Sequence, residues 1–451
     1  MMNHLQNKYV LVLGLGETGL SALRWLSAQG ARVAIADTRD HPPNKELVEA
    51  EFPDINLFLG ALDEETLKKA DLLVVSPGVA LSEPAIQAAI LAGISVVGDV
   101  ELFARYRPAE AKVIAITGSN GKTTVTTLVG EMCKAAGLKT IVAGNIGLPV
   151  LATLAMETPD VYVLELSSFQ LETTHHLVVD AATMLNLTED HMDRYSDMAT
   201  YAAAKAHIFY KAKHQVLNRD DAWSMIMERP SAIVTTFGLD FDVNAFGIHD
   251  EHNEIWLCDG QQHLMNVADL SIKGAHNAAN ALAAIALCRA IGLEYAPLLN
   301  ALYNFKGLAH RVQWVATVDD VDYFDDSKGT NVGATCAAIS GLPQTVVLIA
   351  GGDGKGQDFT PLKAPVSQHA RAVILIGRDA SLIEQALITT DVPMYHAQDM
   401  REAVVIARRI AQAGDAVLLS PACASFDMYT NYKHRAEAFI DAVRQQEAVT
   451  C

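Results

Sequence analysis

Two apolar strands, each running into a glycine loop and then a helix, constrain this chain more than any other feature. The first reads "YVLVLGLGETGL" (residues 9–20) and the second "VIAITGSNGKTTV" (residues 113–125). A strand that delivers a glycine turn to a helix N-terminus belongs in a parallel sheet covered by helices on both faces. The turn itself is preorganised for an anion. Two such units in a chain of 451 residues imply several α/β domains, because one hydrophobic core stops growing well below that length.

The spacing of apolar runs supplies the domain plan. After "YVLVLGLG" come "RVAIAD", "DLLVVSPG" and "ISVVGD", each separated by a helix-length segment, until "RYRPAEAK" (105–112) breaks the pattern. A second block opens with "VIAITG" and includes "VYVLELSS" and "AATMLNLT". Residues 230–272 then read as a small antiparallel excursion, and the helix "HNAANALAAIALCRAIG" closes the block. After "NFKGLAHR", the strands "YFDDSKGT", "TVVLIAGGDG", "AVILIG" and "AVLLSPACASF" make a third. The predicted fold is α/β with three domains: a Rossmann-like unit over 1–107, a central P-loop ATPase-type unit over 108–307, and a Rossmann-like C-terminal unit over 308–451.

Composition excludes some partners. A net charge of −19 argues against nucleic acid and anionic membrane surfaces, while leaving room for a local cationic cluster. Cys133, Cys258, Cys288, Cys336, Cys423 and Cys451 show no C-x-x-C spacing and read as reduced thiols rather than a disulfide frame. The start of the chain has no cleavage-site pattern, and its most apolar helical run, residues 281–288, is too short to cross a bilayer. A soluble, cytoplasmic protein is expected.

Gly14-x-Gly16-x-x-Gly19 with Asp37 at the end of the next strand suits a nucleotide phosphate, with the Asp37 carboxylate placed for a ribose hydroxyl. The same pattern also serves a ligand-free strand–helix turn. "TGSNGKTT" is more specific, although a full P-loop would carry glycine where Ile116 stands. The backbone N–H groups of Gly118, Ser119, Asn120, Gly121 and Lys122 can wrap phosphates. Lys122 adds a charge, and Thr123, or Thr124 in its place, offers a hydroxyl to Mg²⁺.

Glu165 ends the apolar strand of "LELSSFQLE", where a metal-binding carboxylate lies in P-loop enzymes. His191 sits among acids in "NLTEDHMDRY" and suits a second metal position or a surface role. Lys205, in "YAAAKAHIF", is on its own as readily structural as functional. Lys355, behind "GGDG", suits an anion.

These segments, with "GNIG", "GAHNAANALAA", "HR" (310–311), "DDSKGTN", "GGDGKGQDF" and "SPACASFD", occur in the order found in Mur ligases. The chain resembles that family along essentially its whole length. The family's loop reads T-G-x-x-G-K-[ST], so Ile116 is ordinary within it. The resemblance implies ATP-dependent addition of D-glutamate to UDP-N-acetylmuramoyl-L-alanine through an acyl phosphate, in peptidoglycan precursor synthesis, by a monomer. The UDP handle would bind in the first domain and ATP in the second.

It further implies two Mg²⁺ ions, held by Thr123, Glu165, His191 and a CO₂-derived carbamate on Lys205. ATP contacts would come from Asn277, Arg311 and Asp326 as well as the loop. D-glutamate contacts would come from His310, Thr330, Lys355, Ser425 and Tyr432. UDP-substrate contacts would come from Leu15, Thr18, Asp37, Thr38, Ser76, Gly78, Asn145, Ser167 and Gln170. Tyr432 and Phe426 depart from the family's usual phenylalanine and leucine. A ligase for another amino acid, an NAD-dependent oxidoreductase and a non-catalytic nucleotide sensor are the competing expectations.

Overall fold

The computed structural model describes residues 5–450 and builds three sheets in chain order; Cys451 lies outside the described residues. The first sheet contains β1 (Tyr9–Leu13), β2 (Arg32–Asp37), β3 (Asn56–Leu59), β4 (Leu72–Val75) and β5 (Ser95–Val97), in the order β3-β2-β1-β4-β5 and all parallel. Val10 to Leu13 are fully buried, as a strand covered on both faces requires. The order reverses between β1 and β4, so the loops after these two strands part and leave a crevice at the carboxyl edge.

The central sheet takes β6 (Lys112–Thr117), β7 (Thr140–Gly144), β8 (Val161–Glu165), β9 (Ala181–Met184), β10 (His214–Asn218) and β11 (Ile233–Phe237). It continues through β12 (Phe246–Glu251), β13 (Glu254–Asp259) and β14 (Gln262–Asn266), in the order β14-β13-β12-β11-β10-β9-β6-β8-β7. The antiparallel excursion is therefore no separate unit. β12 joins β11 through the Phe237–Phe246 pair and carries the antiparallel hairpins outward as the sheet's edge. β6 lies between β8 and β9, which sets its glycine loop over the sheet's own reversal point.

The period-2 alternation of β6 divides two cores. Ile114 and Ile116 pack with Val125, Leu128 and Leu282. Val113 and Ala115 pack with Tyr162 and Leu164, and that core runs without a break into Val10, Leu23 and Phe103 of the first unit. Phe103, on the helix Asp99–Tyr106, meets Tyr162 edge-on at 5.0 Å. The first two units are thus fused through a common core.

The third sheet holds β15 (Gln313–Val318), β16 (Val321–Asp325), β17 (Val346–Gly351), β18 (Ala370–Ile376), β19 (Met394–His396) and β20 (Ala416–Leu419), in the order β15-β16-β20-β17-β18-β19. Val347 and Ile349 face one core, and Val346, Leu348 and Ala350 the other. Cys133, Cys258, Cys288 and Cys423 are buried, Cys336 is half-buried, and all five are free thiols. Among the described residues no helix is long and apolar enough to cross a membrane.

Candidate active site

The loop after β6 wraps over the N-terminus of the helix Lys122–Ala135, where no side chain caps the helix. That exposed end of the helix dipole is an anion site. Gly121 turns the chain at φ +84°, and a Cβ there would come within 2.5 Å of Asn280 Oδ1, so glycine is required on both counts.

Two of the N–H groups expected to face phosphate are used internally. Ser119 N–H donates to Asn186 O (2.8 Å), and Asn120 N–H donates to Asn186 Oδ1 (2.8 Å). Asn186 Nδ2 donates back to Asn120 O at 3.1 Å. Asn186 therefore moulds the loop, and the donors left for phosphate cluster at the helix start. Lys122 Nζ folds over the loop onto Gly118 O (2.7 Å) and Ser119 O (2.8 Å).

Around this loop a cavity brings together Lys122, Lys205, Arg311, Lys328 and Lys355 against Glu165 and Asp190. Five basic side chains facing two carboxylates describe a site for polyanions. Glu165 is 2% exposed. One of its oxygens accepts from Asn145 Nδ2 at 2.8 Å, whereas the buried Oε2 has no hydrogen-bond partner. An orphaned buried carboxylate oxygen fits a metal cation.

His191 holds a left-handed backbone, φ +60°, unusual enough for a non-glycine residue to mark a site. Burial, reinforced by Lys355, Lys122 and Lys205 against the pull of Asp190, lowers its pKa to about 4. It is therefore neutral at physiological pH, as a ligating imidazole must be.

Lys205 is 1% exposed and donates to Gly118 O at 2.9 Å, with its Nζ 4.7 Å from the centroid of the Tyr201 ring. Burial first, then repulsion from Lys122, drives its pKa well below the ordinary lysine value. Burial would raise Asp190, but Lys355 and His191 outweigh it and hold the carboxyl below its usual range. Lys355 Nζ reaches Asp190 Oδ1 at 2.5 Å.

A second cavity adjoins the first, with Asn120, Gly121 and Arg311 lining both. It is walled by Leu185, Phe237, Leu239, Ile272 and Leu308, with Asn277 and Asp326 among its polar lining. The apolar walls suit a flat base and the polar groups suit a ribose. Burial raises the Asp326 pKa to about 7 even though Ser420 Oγ donates to it at 2.7 Å.

The third cavity opens at the reversal point of the first sheet and is lined by Thr18, Asp37, Thr38, Ser76, Gly78, Asn145 and Gln170. Asp37 accepts from Leu15 N–H (2.7 Å) and is gripped by Arg39 through Nε (2.8 Å) and Nη2 (2.7 Å). Both of its oxygens thus have partners within the protein. Arg39, half-exposed at the rim, is the polar group this cavity presents there.

Leu15 is fully buried, and its N–H is taken by Asp37. Ser167 lines the central cavity instead, where its N–H and Oγ bond Gln170 Oε1 at 3.1 and 3.3 Å. Asn145 lines both cavities.

Of the residues assigned to the amino acid, Thr330 and Lys355 line the central cavity. His310, Ser425 and Tyr432 stand outside its lining. His310 Nδ1 pairs with Asp325 Oδ2 at 2.6 Å, and Tyr432 carries Lys328 Nζ 4.1 Å from its ring centroid. Lys328, Asn186, Asp190 and Arg39 were not singled out by the sequence analysis. For Asp190 and Lys328 the available signal was a charge beside an already suspected residue. Asn186 and Arg39 gave none, because their roles rest on partners that spacing does not reveal.

A base-sized cavity, a phosphate loop and a metal-ready carboxylate, gathered where three α/β units meet, define a multidomain nucleotide-dependent enzyme. Family models agree over most of the chain: "Mur ligase MurD-like, N-terminal domain" matches residues 8–98, "Mur ligase middle domain" 116–288, and "Mur ligase, glutamate ligase domain" 310–423. The chain belongs to the Mur ligase family.

It is 61% identical over 444 residues to the UDP-N-acetylmuramoylalanine–D-glutamate ligase of Methylobacillus flagellatus, covering 98% of each chain. It is 54% identical to the enzyme of that name from Thiobacillus denitrificans, again over 98% of each. Among solved structures, MurF of Acinetobacter baumannii aligns with TM-score 0.61 at 17% identity, covering 97% of this chain and 92% of that one. UDP-N-acetylmuramate-alanine ligase MurC of Thermotoga maritima aligns with TM-score 0.60 at 18% identity, covering 98% and 100%. These two bear on the fold alone.

Proposed function

We propose that the chain joins D-glutamate to UDP-N-acetylmuramoyl-L-alanine, converting ATP to ADP and phosphate, in peptidoglycan precursor synthesis. Residues 1–107 hold the UDP part, 108–307 hold ATP, and 308–451 present the amino acid. The observation that carries this reading is the junction of cavities. Asn145 belongs to both the first-unit cavity and the phosphate cavity, and Asn120, Gly121 and Arg311 belong to both the phosphate and base cavities. A carboxylate delivered from the first unit therefore meets a γ-phosphate delivered from the second. The names carried by the most similar relatives support D-glutamate as the amino acid.

The chemistry follows from charge. A carboxylate is a poor electrophile, so one of its oxygens first bonds the γ-phosphorus as ADP leaves. The amine of D-glutamate then attacks the carbonyl carbon and loses a proton as phosphate departs. Both steps gather negative charge, and electrostatic clamping with correct placement supplies most of the rate. The helix N-terminus and Lys122 hold the transferring phosphoryl group, and Arg311 bridges the phosphates toward the base cavity, where Asn277 and Asp326 face the nucleoside.

The residues present fit divalent metal: Thr123 and the orphaned Glu165 oxygen for one Mg²⁺, and neutral His191 with Glu165 and a modified Lys205 for a second. When bound, these ions neutralise phosphate charge. A depressed pKa gives Lys205 the free amine lone pair that attacks CO₂. The new N–C bond releases one proton and leaves a carbamate, replacing an uncharged amine with an anion that attracts metal.

Thr330 and Lys355 receive D-glutamate, and a substrate carboxylate competes with Asp190 for Lys355. His310, Ser425 and Tyr432 complete the D-glutamate site, with His310 O accepting from Lys328 N–H at 3.2 Å and the Tyr432 ring beneath Lys328 Nζ. In the first unit, Thr18, Thr38, Ser76, Gly78 and Gln170 contact the UDP-sugar, with Asp37 and Leu15 shaping the loop and Arg39 facing the diphosphate.

The test is phosphate release from ATP in the presence of UDP-N-acetylmuramoyl-L-alanine, with amino acids supplied one at a time. D-glutamate is expected to stimulate release, and indifference to D-glutamate refutes the assignment.

A further inference from the structure

The catalytic reading leaves one cluster unused, at the opposite edge of the central sheet. His249 and Glu251 lie two residues apart on β12 and so share a face. His263 lies on β14 and reaches toward them across β13. His249 Nδ1 and His263 Nε2 are 3.0 Å apart, and His263 Nε2 is 3.7 Å from Glu251 Oε2. One donor atom from each of the three residues falls within 4.8 Å of the others.

Tetrahedral zinc, with bonds of about 2.0–2.2 Å to nitrogen and oxygen, spaces its ligand atoms about 3.3 Å apart. Two of the separations bracket that value and the third lies within 4.8 Å, so side-chain rotation brings the three groups onto one ion. The rings are also held in place. Phe241 stacks on His249 with centroids 4.4 Å apart, and Trp256 stacks on His263 at 5.1 Å with planes 12° apart. Preorganised imidazoles lose little freedom on ligation.

We propose that His249, Glu251 and His263 form a site for a divalent transition cation, with zinc the natural probe. Two imidazoles and one carboxylate match zinc better than Mg²⁺, which prefers an all-oxygen shell. Three protein ligands leave a fourth position for water. The ion ties β12 to β14 over β13 and so clips the outermost hairpins of the sheet. The clip adjoins the nucleotide site through the chain. Phe241, which stacks on His249, follows Leu239 of the base cavity by two residues. The site is therefore structural, a brace for the sheet edge beside the base-binding wall.

The experiment uses the full chain stripped of metal, with excess Mg²⁺ present to fill the catalytic positions. Zinc is titrated against a chromophoric chelator, and Co²⁺ is used separately as a spectroscopic probe. The wild-type chain is expected to hold one zinc equivalent that His263→Gln loses and that Glu251→Gln weakens about tenfold or more. Co²⁺ should give an intense tetrahedral visible band in the wild type and not in His263→Gln. Zinc should raise the melting temperature of the wild type alone.

Both variants should keep the wild-type rate of phosphate release without zinc, which also checks that they fold. If His263→Gln does not fold, Glu251→Gln decides, since its side chain is about half exposed. Zinc stoichiometry and affinity equal to wild type in the variants overturn the proposal. So does an equivalent that disappears with His191→Ala instead.

Discussion

Burial and the neighbouring Lys122 both push the Lys205 amine toward its neutral form, and the side chain reaches Gly118 O, the Thr117 hydroxyl and the Tyr201 ring, with no carboxylate among these contacts. A lysine kept for structure gains little there. An amine kept reactive toward CO₂ gains a great deal. Lys205→Ala is expected to reduce ligation by orders of magnitude and to regain part of it with acetate or formate, small carboxylates that replace the missing anion. Robust activity of the variant without rescue removes the carbamate from the mechanism.

Asp326 makes a separate residue-level argument. Its pKa is raised from 3.8 to about 7 by burial, so the native protein holds a proton that the unfolded chain has already released. The native state then binds more protons between about pH 4 and pH 7, and stability falls as pH rises through that window. Asp326→Asn should flatten the melting temperature of the ligand-free chain between pH 5 and pH 8, by an equivalent of at most about 3 kcal/mol. An unchanged pH profile would show that Asp326 does not carry the effect.

At the scale of elements, the phosphate loop depends on a partner far away in sequence. Asn186 satisfies both the N–H and the carbonyl of Asn120. Asn186→Ala leaves two partly buried backbone groups unpaired, at about 1–3 kcal/mol. The KM for ATP is expected to rise about tenfold or more, with a modest loss in melting temperature; an unaltered KM would show that the loop keeps its shape unaided.

This dependence marks the boundary of what the sequence discloses. The strands β1, β6 and β8, their glycine loops and the carboxylate of Glu165 are legible, because strand periodicity and glycine placement are local signals. Pairing is not local. Asn186 with Asn120, or Asp37 with Arg39, depends on side-chain directions that spacing leaves open. The antiparallel character of residues 230–272 was legible too. That β12 continues the central sheet was not, since it hangs on the single Phe237–Phe246 pair.

At the scale of the whole molecule, the three units are joined in two different ways. One core runs through the first and central units, so they are expected to move together. Among the described residues, the cores of the third unit contain nothing before Val312. It meets the central unit through polar contacts: Asn331 with Asn120 at 3.0 Å, Asp358 N–H with Glu189 at 3.3 Å, and Lys355 with Asp190 at 2.5 Å. Polar junctions of this kind permit domain motion, and substrates must enter before the centre is assembled.

The Lys355–Asp190 pair is the charged one among these contacts, with side chains 15% and 9% exposed. Removing one partner from a buried pair costs about 3–5 kcal/mol, an upper bound here because both groups keep some access to water. Asp190→Ala is expected to shift the ligand-free chain toward open forms, seen as a larger radius of gyration in solution scattering and faster amide exchange around Lys355–Asp358. Lys355 would then be free to meet a D-glutamate carboxylate without first releasing Asp190. The KM for D-glutamate should therefore rise less than the opening alone would produce. A scattering profile identical to the wild type would place the hold on the third unit in the Asn331–Asn120 contact instead.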